Sequence, residues 1–275
     1  MIPCGRNYIP NCSGSGVRLK PSRFRRPETP RVKHGAKCAA VEKIIMSGTR
    51  ALIQARSSST RFPGKMLREF GSGSVLGSVI SRVRAARSVD EVVILTSLDS
   101  TDDQICEECD RLVVRYFRGS LENVADRFRA FLQNESIQSF VRISGDSPLI
   151  DPNLIDRMIF LFEESGADIA SNVVRRTFPS GQSVEVIKTE VFLDAVDSFL
   201  SISHFEHVTK FFYEFPGDFS FVSLEADGDF SDIRLSIDYP DDLAILSKMI
   251  GESAPTPDWL SLANVWREEK LRNSG

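Results

Sequence analysis

No apolar run in the 275 residues approaches the ~18 residues of a membrane-spanning helix. A helical membrane span is therefore not expected. With 34 Lys and Arg against 38 Asp and Glu, the chain lacks the basic excess of a nucleic-acid-binding protein. Cysteine is sparse, with 5 residues at 4, 12, 38, 106 and 109. Cys106 and Cys109 form a C-x-x-C, but no second pair in the body completes the four ligands of a structural zinc site. With Ile105 they make an apolar stripe on an otherwise acidic helix over 101–110, so they read as packing residues. Reduced thiols fit a cytoplasmic protein. The Walker pattern G-x-x-x-x-G-K-[ST] is missing too. Gly71-Ser72-Gly73, with Gly77 beyond, comes near a dinucleotide fingerprint but follows no predicted strand. It reads as a turn before a helix.

Hydrophobic residues make up 41% of the chain and charged residues 26%, the balance of a packed globular core. The net charge of −4 conceals an asymmetry. Residues 1–45 hold 10 Lys or Arg against 2 Glu, which leaves the rest distinctly acidic. This leader is rich in Pro, Gly, Ser and Arg and has no apolar core of the kind a secretory signal needs. Three readings are open: a disordered tail, an organellar transit peptide, or translation that begins at Met46. The expected organisation is a basic leader over 1–45 and a single domain over 46–275.

Within that domain strands and helices alternate. Strands are predicted over 52–55, 91–97, 112–116, 140–144 and 167–171. Helices are predicted over 75–86, 101–110, 123–133 and 152–164, the last with Pro152 in its first turn. Strict alternation implies an α/β fold of three layers: a mainly parallel sheet with helices on both faces. Such sheets bind ligands beyond the carboxyl ends of their strands. From 175 to 225 the rhythm changes, and strands over 183–188 and 219–224 flank helical stretches. This segment is expected to form a smaller inserted lobe for substrate or subunit contact. A strand over 233–237 follows, then a helix from Pro240. A terminal amphipathic helix begins after Pro257, with Trp259, Leu260, Leu262 and Trp266 as packing anchors.

The chemistry concentrates after the first strand, in Gln54-Ala55-Arg56-Ser57-Ser58-Ser59-Thr60-Arg61-Phe62-Pro63-Gly64-Lys65. Three cations and four hydroxyl residues share one loop. Phosphate oxygens want such charge-assisted donors, together with a backbone that approaches closely. Pro63 and Gly64 fix a turn that can aim Lys65. The bland alternative is a solvated basic loop, which its place after the first strand disfavours. Asp146 and Asp238 each end a predicted apolar strand. If those ends converge on one rim, two carboxylates plus phosphate oxygens suit Mg²⁺. Each could equally be a turn Asp ahead of a Pro.

The segment from Ala55 to Lys65 resembles the A-R-x-x-S-T-R-x-P-G-K signature of the cytidylyltransferases that make CMP-activated sugars. That family includes the CMP-Kdo and CMP-sialic acid synthetases, and the branch most similar here is the spore-coat polysaccharide, SpsF-like one. Further matches follow in order: Leu95-Thr96-Ser97, Phe117-Arg118-Gly119-Ser120 with Arg127, Arg142-Ile143-Ser144-Gly145-Asp146-Ser147-Pro148, Thr177-Phe178-Pro179-Ser180-Gly181 with Val184-Glu185-Val186, Glu206-His207-Val208-Thr209, and Leu235-Ser236-Ile237-Asp238-Tyr239-Pro240. Asn123, Ala125 and Phe128 depart from the family's Asp, Leu and Tyr. The resemblance covers roughly residues 50–247.

It implies a CTP-dependent enzyme that joins CMP to a sugar, an acidic one by expectation, for surface polysaccharide synthesis. Arg56 and Lys65 are the implied catalytic cations. Ala55, Arg56, Ser59, Arg61, Lys65, Thr96, Ser97, Arg118 and Gly145 are the implied nucleotide-binding residues. Asp146 and Asp238 are the implied Mg²⁺ ligands, and Glu185 and His207 the sugar-binding candidates. His207 is also a candidate base. His204 is expected on a solvated helix. The implied partners are CTP, a sugar and a second copy of the chain, with neither nucleic acid nor membrane. A nucleotide-sugar-consuming glycosyltransferase of similar fold and an inactive nucleotide-binding homologue are the alternatives.

A chain that starts at Met46 is expected to fold and turn over like the full chain, because the leader offers little apolar surface to a core. Thermal melting and turnover of the two forms check this, and a large loss in either refutes it.

Overall fold

The computed structural model describes residues 48–250 and 257–273, so the 1–45 leader and Met46 lie outside the described residues. In chain order the elements are β1 (Arg50–Gln54), β2 (Glu69–Phe70), β3 (Gly73–Ser74), α1 (Val75–Arg84), β4 (Glu91–Ser97), α2 (Asp103–Arg111), β5 (Arg115–Gly119), α3 (Val124–Leu132), β6 (Ser139–Ser144), α4 (Pro152–Ser165), β7 (Ile169–Ser171), β8 (Glu185–Lys188), α5 (Thr189–Val196), α6 (Ile202–Glu206), α7 (Lys210–Glu214), β9 (Phe221–Ser223), α8 (Pro240–Ile250) and α9 (Trp259–Asn273). One sheet has the order β5-β4-β1-β6-β8-β7-β9, and β2 and β3 form a small hairpin at Gly71 and Ser72. The pairs among β5, β4, β1 and β6 are parallel, and β8 alone runs against its neighbours β6 and β7. The mainly parallel α/β fold is as expected.

Side-chain alternation along the central strands builds the three layers. Ala51, Ile53, Val92, Ile94, Val141 and Ile143 face one core, shared with Leu76, Val79 and Ile80 of α1 and Leu154, Ile155 and Met158 of α4. Leu52, Val93, Leu95 and Phe140 face the other, against Phe128 and Phe131 of α3, Phe192 of α5 and Phe212 of α7. The helices start where their capping residues dictate. Ser74 accepts from Gly77 N at 2.9 Å, and Asp151 accepts from Asn153 N at 2.8 Å ahead of Pro152. Asn123 accepts from Asp126 N at 2.7 Å, so its departure from the family's Asp keeps the cap. Cys106 and Cys109 are free, buried thiols, and burial pushes Cys109 up to about 12.

Four expectations are corrected. The third strand of the alternation runs Arg115–Gly119 and not 112–116, because Val113 (φ 50°) still belongs to the turn leaving α2. The segment 175–225 does not stand apart as a lobe. It contributes β8 between β6 and β7 and β9 at the edge, while α5 and α7 cover one face. His204 is buried rather than solvated: its ring packs on Phe199 and Phe211, and Nε2 lies 2.6 Å from Glu214. Residues 233–237 join no sheet. Their alternation reflects an extended backbone with one buried face, since Ile233, Leu235 and Ile237 enter a third core with Phe62, Phe70, Leu246 and Leu262. In the terminal helix Leu262 is buried as expected, but Leu260 is largely exposed.

The same 233–237 segment is tied by backbone bonds to two loops. Leu235 N donates to Ser180 O at 2.8 Å, and Ile237 N donates to Asp146 O at 2.9 Å. Gly181 permits the first contact, with φ 90° and Leu235 backbone 2.5 Å from where a Cβ would stand. These ties carry the chain after Ile237 to the carboxyl end of β6.

Candidate functional site

Because β4, β1 and β6 run parallel, Ser97, Gln54 and Ser144 end on one rim. Antiparallel β8 enters the same rim with Glu185 opposite Arg142. The 55–65 loop leaves β1 there. Gly145 N donates to Gln54 O at 2.9 Å, and a Cβ on Gly145 would sit 2.8 Å from that carbonyl. Glycine thus lets the ends of β1 and β6 touch, which places Asp146 beside the loop.

A cleft of ≈ 260 Å³ results, with Ala55, Arg56, Ser59, Arg61, Lys65, Asp146, His207 and Asp238 in its lining. Each loop cation holds a carboxylate from another segment. Arg56 lies 3.2 Å from Glu206, and Arg61 lies 3.5 Å from Asp238. Lys65 Nζ lies 2.8 Å from Asp146 and 3.8 Å from Asp238, and donates to Ile237 O at 2.6 Å. The two carboxylates therefore sit no farther apart than the sum of those two salt-bridge lengths. Gly64, at φ 68°, ends the Pro63-Gly64 turn and aims Lys65 inward as expected. Lys65 is 5% exposed, so it is a buried cation held by three partners and not part of a solvated basic loop.

Beside this cleft, and sharing His207 with it, lies a cavity of ≈ 370 Å³ lined by Arg142, Arg176, Ser183, Glu185, Lys210 and Tyr213. Glu185 is fully buried. It accepts from Arg142 Nη1 at 2.5 Å and from the Tyr213 hydroxyl. Arg142 also donates to Gln54 Oε1 at 3.0 Å, which links the two cavities. Burial first, and the Glu185 charge second, push the Tyr213 phenol up, so it is a lasting donor.

Four expected residues lie outside the cleft's lining: Gly145, where the ends of β1 and β6 touch, and three that stand behind it. Thr96 and Ser97 are fully buried. Arg118 donates to Ser97 O at 2.7 Å and Asp99 O at 2.9 Å and pairs with Asp103 at 2.8 Å. Residues that the sequence reading missed explain how these act. Asp102, also fully buried, accepts from Ser57 N at 2.6 Å, from Ser97 N at 3.1 Å and from Ser97 Oγ. It thereby pins the start of the 55–65 loop to the end of β4. Arg127 floors the cleft. It donates to Leu95 O at 3.2 Å and Ser120 O at 2.7 Å, and burial draws it down to about 10 against the opposing charge of Asp102. Ser57 Oγ and Thr96 Oγ1 are buried with no hydrogen-bond partner. Among the described residues no group of three or more His, Cys, Asp or Glu could hold a metal, so any ion here depends on two carboxylates and further oxygens.

Asp102→Ala removes the acceptor for both backbone amides. A loss of about 1–3 kcal/mol is expected on unfolding, with faster hydrogen exchange at the Ser57 amide. Asp102→Asn keeps one acceptor and restores part of both. Wild-type exchange at Ser57 in the Ala variant contradicts the pinning role.

The comparisons with known proteins agree with this fold. The spore coat polysaccharide biosynthesis protein SpsF of Bacillus subtilis is 33% identical over 214 residues, covering 75% of this chain and 88% of that protein. A 3-deoxy-manno-octulosonate cytidylyltransferase of Geobacter sulfurreducens is 35% identical over 124 residues, covering 42% of this chain and 46% of that enzyme. A solved cytidylyltransferase structure from Leptospira borgpetersenii serovar Hardjo-bovis superposes with a TM-score of 0.77 at 29% identity, covering 82% of this chain and 95% of that one. The cytidylyltransferase family profile matches residues 50–249, most of the chain and every segment that builds the cleft, and on this ground the chain belongs to the cytidylyltransferase family, the CTP-dependent nucleotidyltransferases.

Proposed function

We propose that this enzyme activates an acidic sugar with CTP, giving a CMP-sugar and pyrophosphate for surface polysaccharide synthesis. One observation carries the reading. Arg56, Arg61 and Lys65 converge with Asp146 and Asp238 in a cleft that shares His207 with a second cavity bearing Arg142, Arg176 and Lys210. The first cluster suits a triphosphate, and the second cationic wall suits a sugar acid. The names of the Bacillus and Geobacter relatives support the polysaccharide role and the acidic acceptor. A cytoplasmic homodimer is the proposed working form. The family resemblance supports the dimer, the free buried Cys106 and Cys109 support the compartment, and sedimentation reads the oligomer.

The acceptor hydroxyl attacks the α-phosphorus of CTP, one P–O bond forms, and the bond to the departing pyrophosphate breaks. Arg56 and Arg61 bind the phosphates, while Lys65 neutralises charge at the junction of the loop and β6. Ser59 and Thr60, in the lining of the cleft, supply hydroxyls around the nucleotide, while the buried Thr96 backs the site from behind. His207, on the lining of both cavities, stands where the acceptor hydroxyl must lose its proton. Asp146 and Asp238 fit a hard divalent cation, because both carboxylates are aimed at one cationic atom and Ser144 Oγ supports Asp146 at 2.8 Å. Bound there, Mg²⁺ would supply charge neutralisation for the phosphate oxygens.

Pyrophosphate release from CTP, ATP and GTP, with a panel of acidic and neutral sugars, tests the reading. CTP with an acidic sugar is expected to be preferred. Equal turnover of the three triphosphates sinks the specificity, and consumption of a nucleotide-sugar instead points to a glycosyltransferase.

Asp146→Asn and Asp238→Asn are each expected to lower turnover by about 10²–10³ and to raise the magnesium requirement. If they serve one ion, the double variant loses less than the product of the two single effects. Strictly multiplicative losses with an unchanged magnesium dependence separate the two carboxylates.

A further inference from the structure

The carboxylates that line the two cavities are not in equivalent states. Asp146 and Asp238 share Lys65. Glu185 is buried and engaged by Arg142 and Tyr213. Glu206 is different: its side chain is 44% exposed, and among the described residues its side chain meets only Arg56, itself 39% exposed. It stands beside His207, the residue common to both cavities.

The position of Glu206 is nonetheless fixed. It closes α6, which Ser201 caps through the His204 amide at 3.2 Å. His204 is buried on one side of it, and Val208, Phe211 and Phe212 are buried on the other. Lys210 Nζ donates to Ser203 Oγ at 2.7 Å across the same turn. A carboxylate is therefore held on the cleft's lining next to His207, masked by the loop cation that the triphosphate is expected to claim.

An exposed Arg–Glu pair is weak, and phosphate oxygens compete for a guanidinium with more charge and fork-like geometry. Resting on the cytidylyltransferase reading, we propose that Glu206 is the specificity-determining carboxylate of the acceptor site, covered by Arg56 until the triphosphate draws Arg56 away. Once released, Glu206 accepts hydrogen bonds from the acceptor's hydroxyls and repels its acid group. The acid group is then directed toward Arg142, Arg176 and Lys210 in the second cavity. A polyhydroxy acid then enters in one orientation, hydroxyl end toward the cleft and acid end away from it, and it enters after the nucleotide.

The test uses the full chain and its Glu206→Gln and Glu206→Asp variants. Calorimetry with CTP and magnesium gives the nucleotide Kd, and steady-state kinetics with the turned-over sugar acid gives KM and kcat. Glu206→Gln is expected to bind CTP as tightly as wild type or several-fold more tightly, since Arg56 no longer has a competing carboxylate. Its acceptor KM is expected to rise about tenfold with a smaller change in kcat, and Glu206→Asp should recover part of the loss. Weaker CTP binding with an unchanged acceptor KM overturns the proposal, because Glu206 then only holds the loop. Wild-type turnover with CTP alongside a Glu206→Gln variant of normal KM overturns this proposal alone. A wild type silent toward every sugar overturns the underlying reading and the acceptor role with it.

Discussion

The site depends on one buried cation. Lys65 is 5% exposed, and a charge so placed must be paired and hydrogen-bonded. It is met by Asp146, by Asp238 and by the carbonyl of Ile237. Lys65 comes from the loop after β1, and its partners come from two other places: the turn after β6 and the segment before α8. Nothing in the sheet pairing brings the second of these to the rim. The third apolar core and the Ile237–Asp146 backbone bond do so, and the Lys65 contacts complete the junction. Removing Lys65 would therefore leave two carboxylates facing each other, with a cost to stability as well as to phosphate binding.

Much of this was legible in the sequence, for identifiable reasons. The parallel core strands are apolar runs with short helices between them, so Glu91–Ser97 and Pro152–Ser165 lie within a residue or so of their expected bounds. The loop from Ala55 to Lys65 showed its purpose through its density of cations and hydroxyls. Legibility failed where tertiary contacts outweigh local pattern. Period-2 alternation over 233–237 signalled an extended backbone but could not tell a sheet neighbour from a loop docked on Ser180 and Asp146. The change of rhythm after 175 looked like a separate lobe because β8 joins the sheet against the direction of its neighbours. His204 looked like a surface residue because its burial depends on Phe199 and Phe211, which pattern alone does not bring together.

The missed residues share a different cause. Asp102 sits in an acidic run at the start of α2, where Asp is an ordinary helix-start residue. Only the fold shows that its carboxylate turns inward to the Ser57 and Ser97 amides and not outward to water. Glu206 drew attention only as the neighbour of His207, and Arg127 only as part of a weaker motif. Each acts on a residue tens of positions away, so no local window contains the interaction. Thr96, Ser97 and Arg118, singled out as nucleotide-binding residues, lie behind the cleft and outside its lining.

The charge arrangement explains how such a site persists without its ligand. Three cations crowded on one loop would repel each other, and Lys65 would be buried without compensation. Glu206, Asp238 and Asp146 offset all three from segments outside the loop. On the proposed reading, binding a triphosphate with a divalent cation would exchange these partners: phosphates would take up the guanidinium groups, and the cation the carboxylates. The donors and acceptors are thus already placed by the folded protein, and little reorganisation remains to be done at the moment of reaction, which is the condition under which electrostatic stabilisation is most effective. If Asp146 and Asp238 hold the cation and the phosphates draw Arg56 away, Glu206 is the cleft carboxylate that would be left without a cationic partner, next to His207, which lines both cavities.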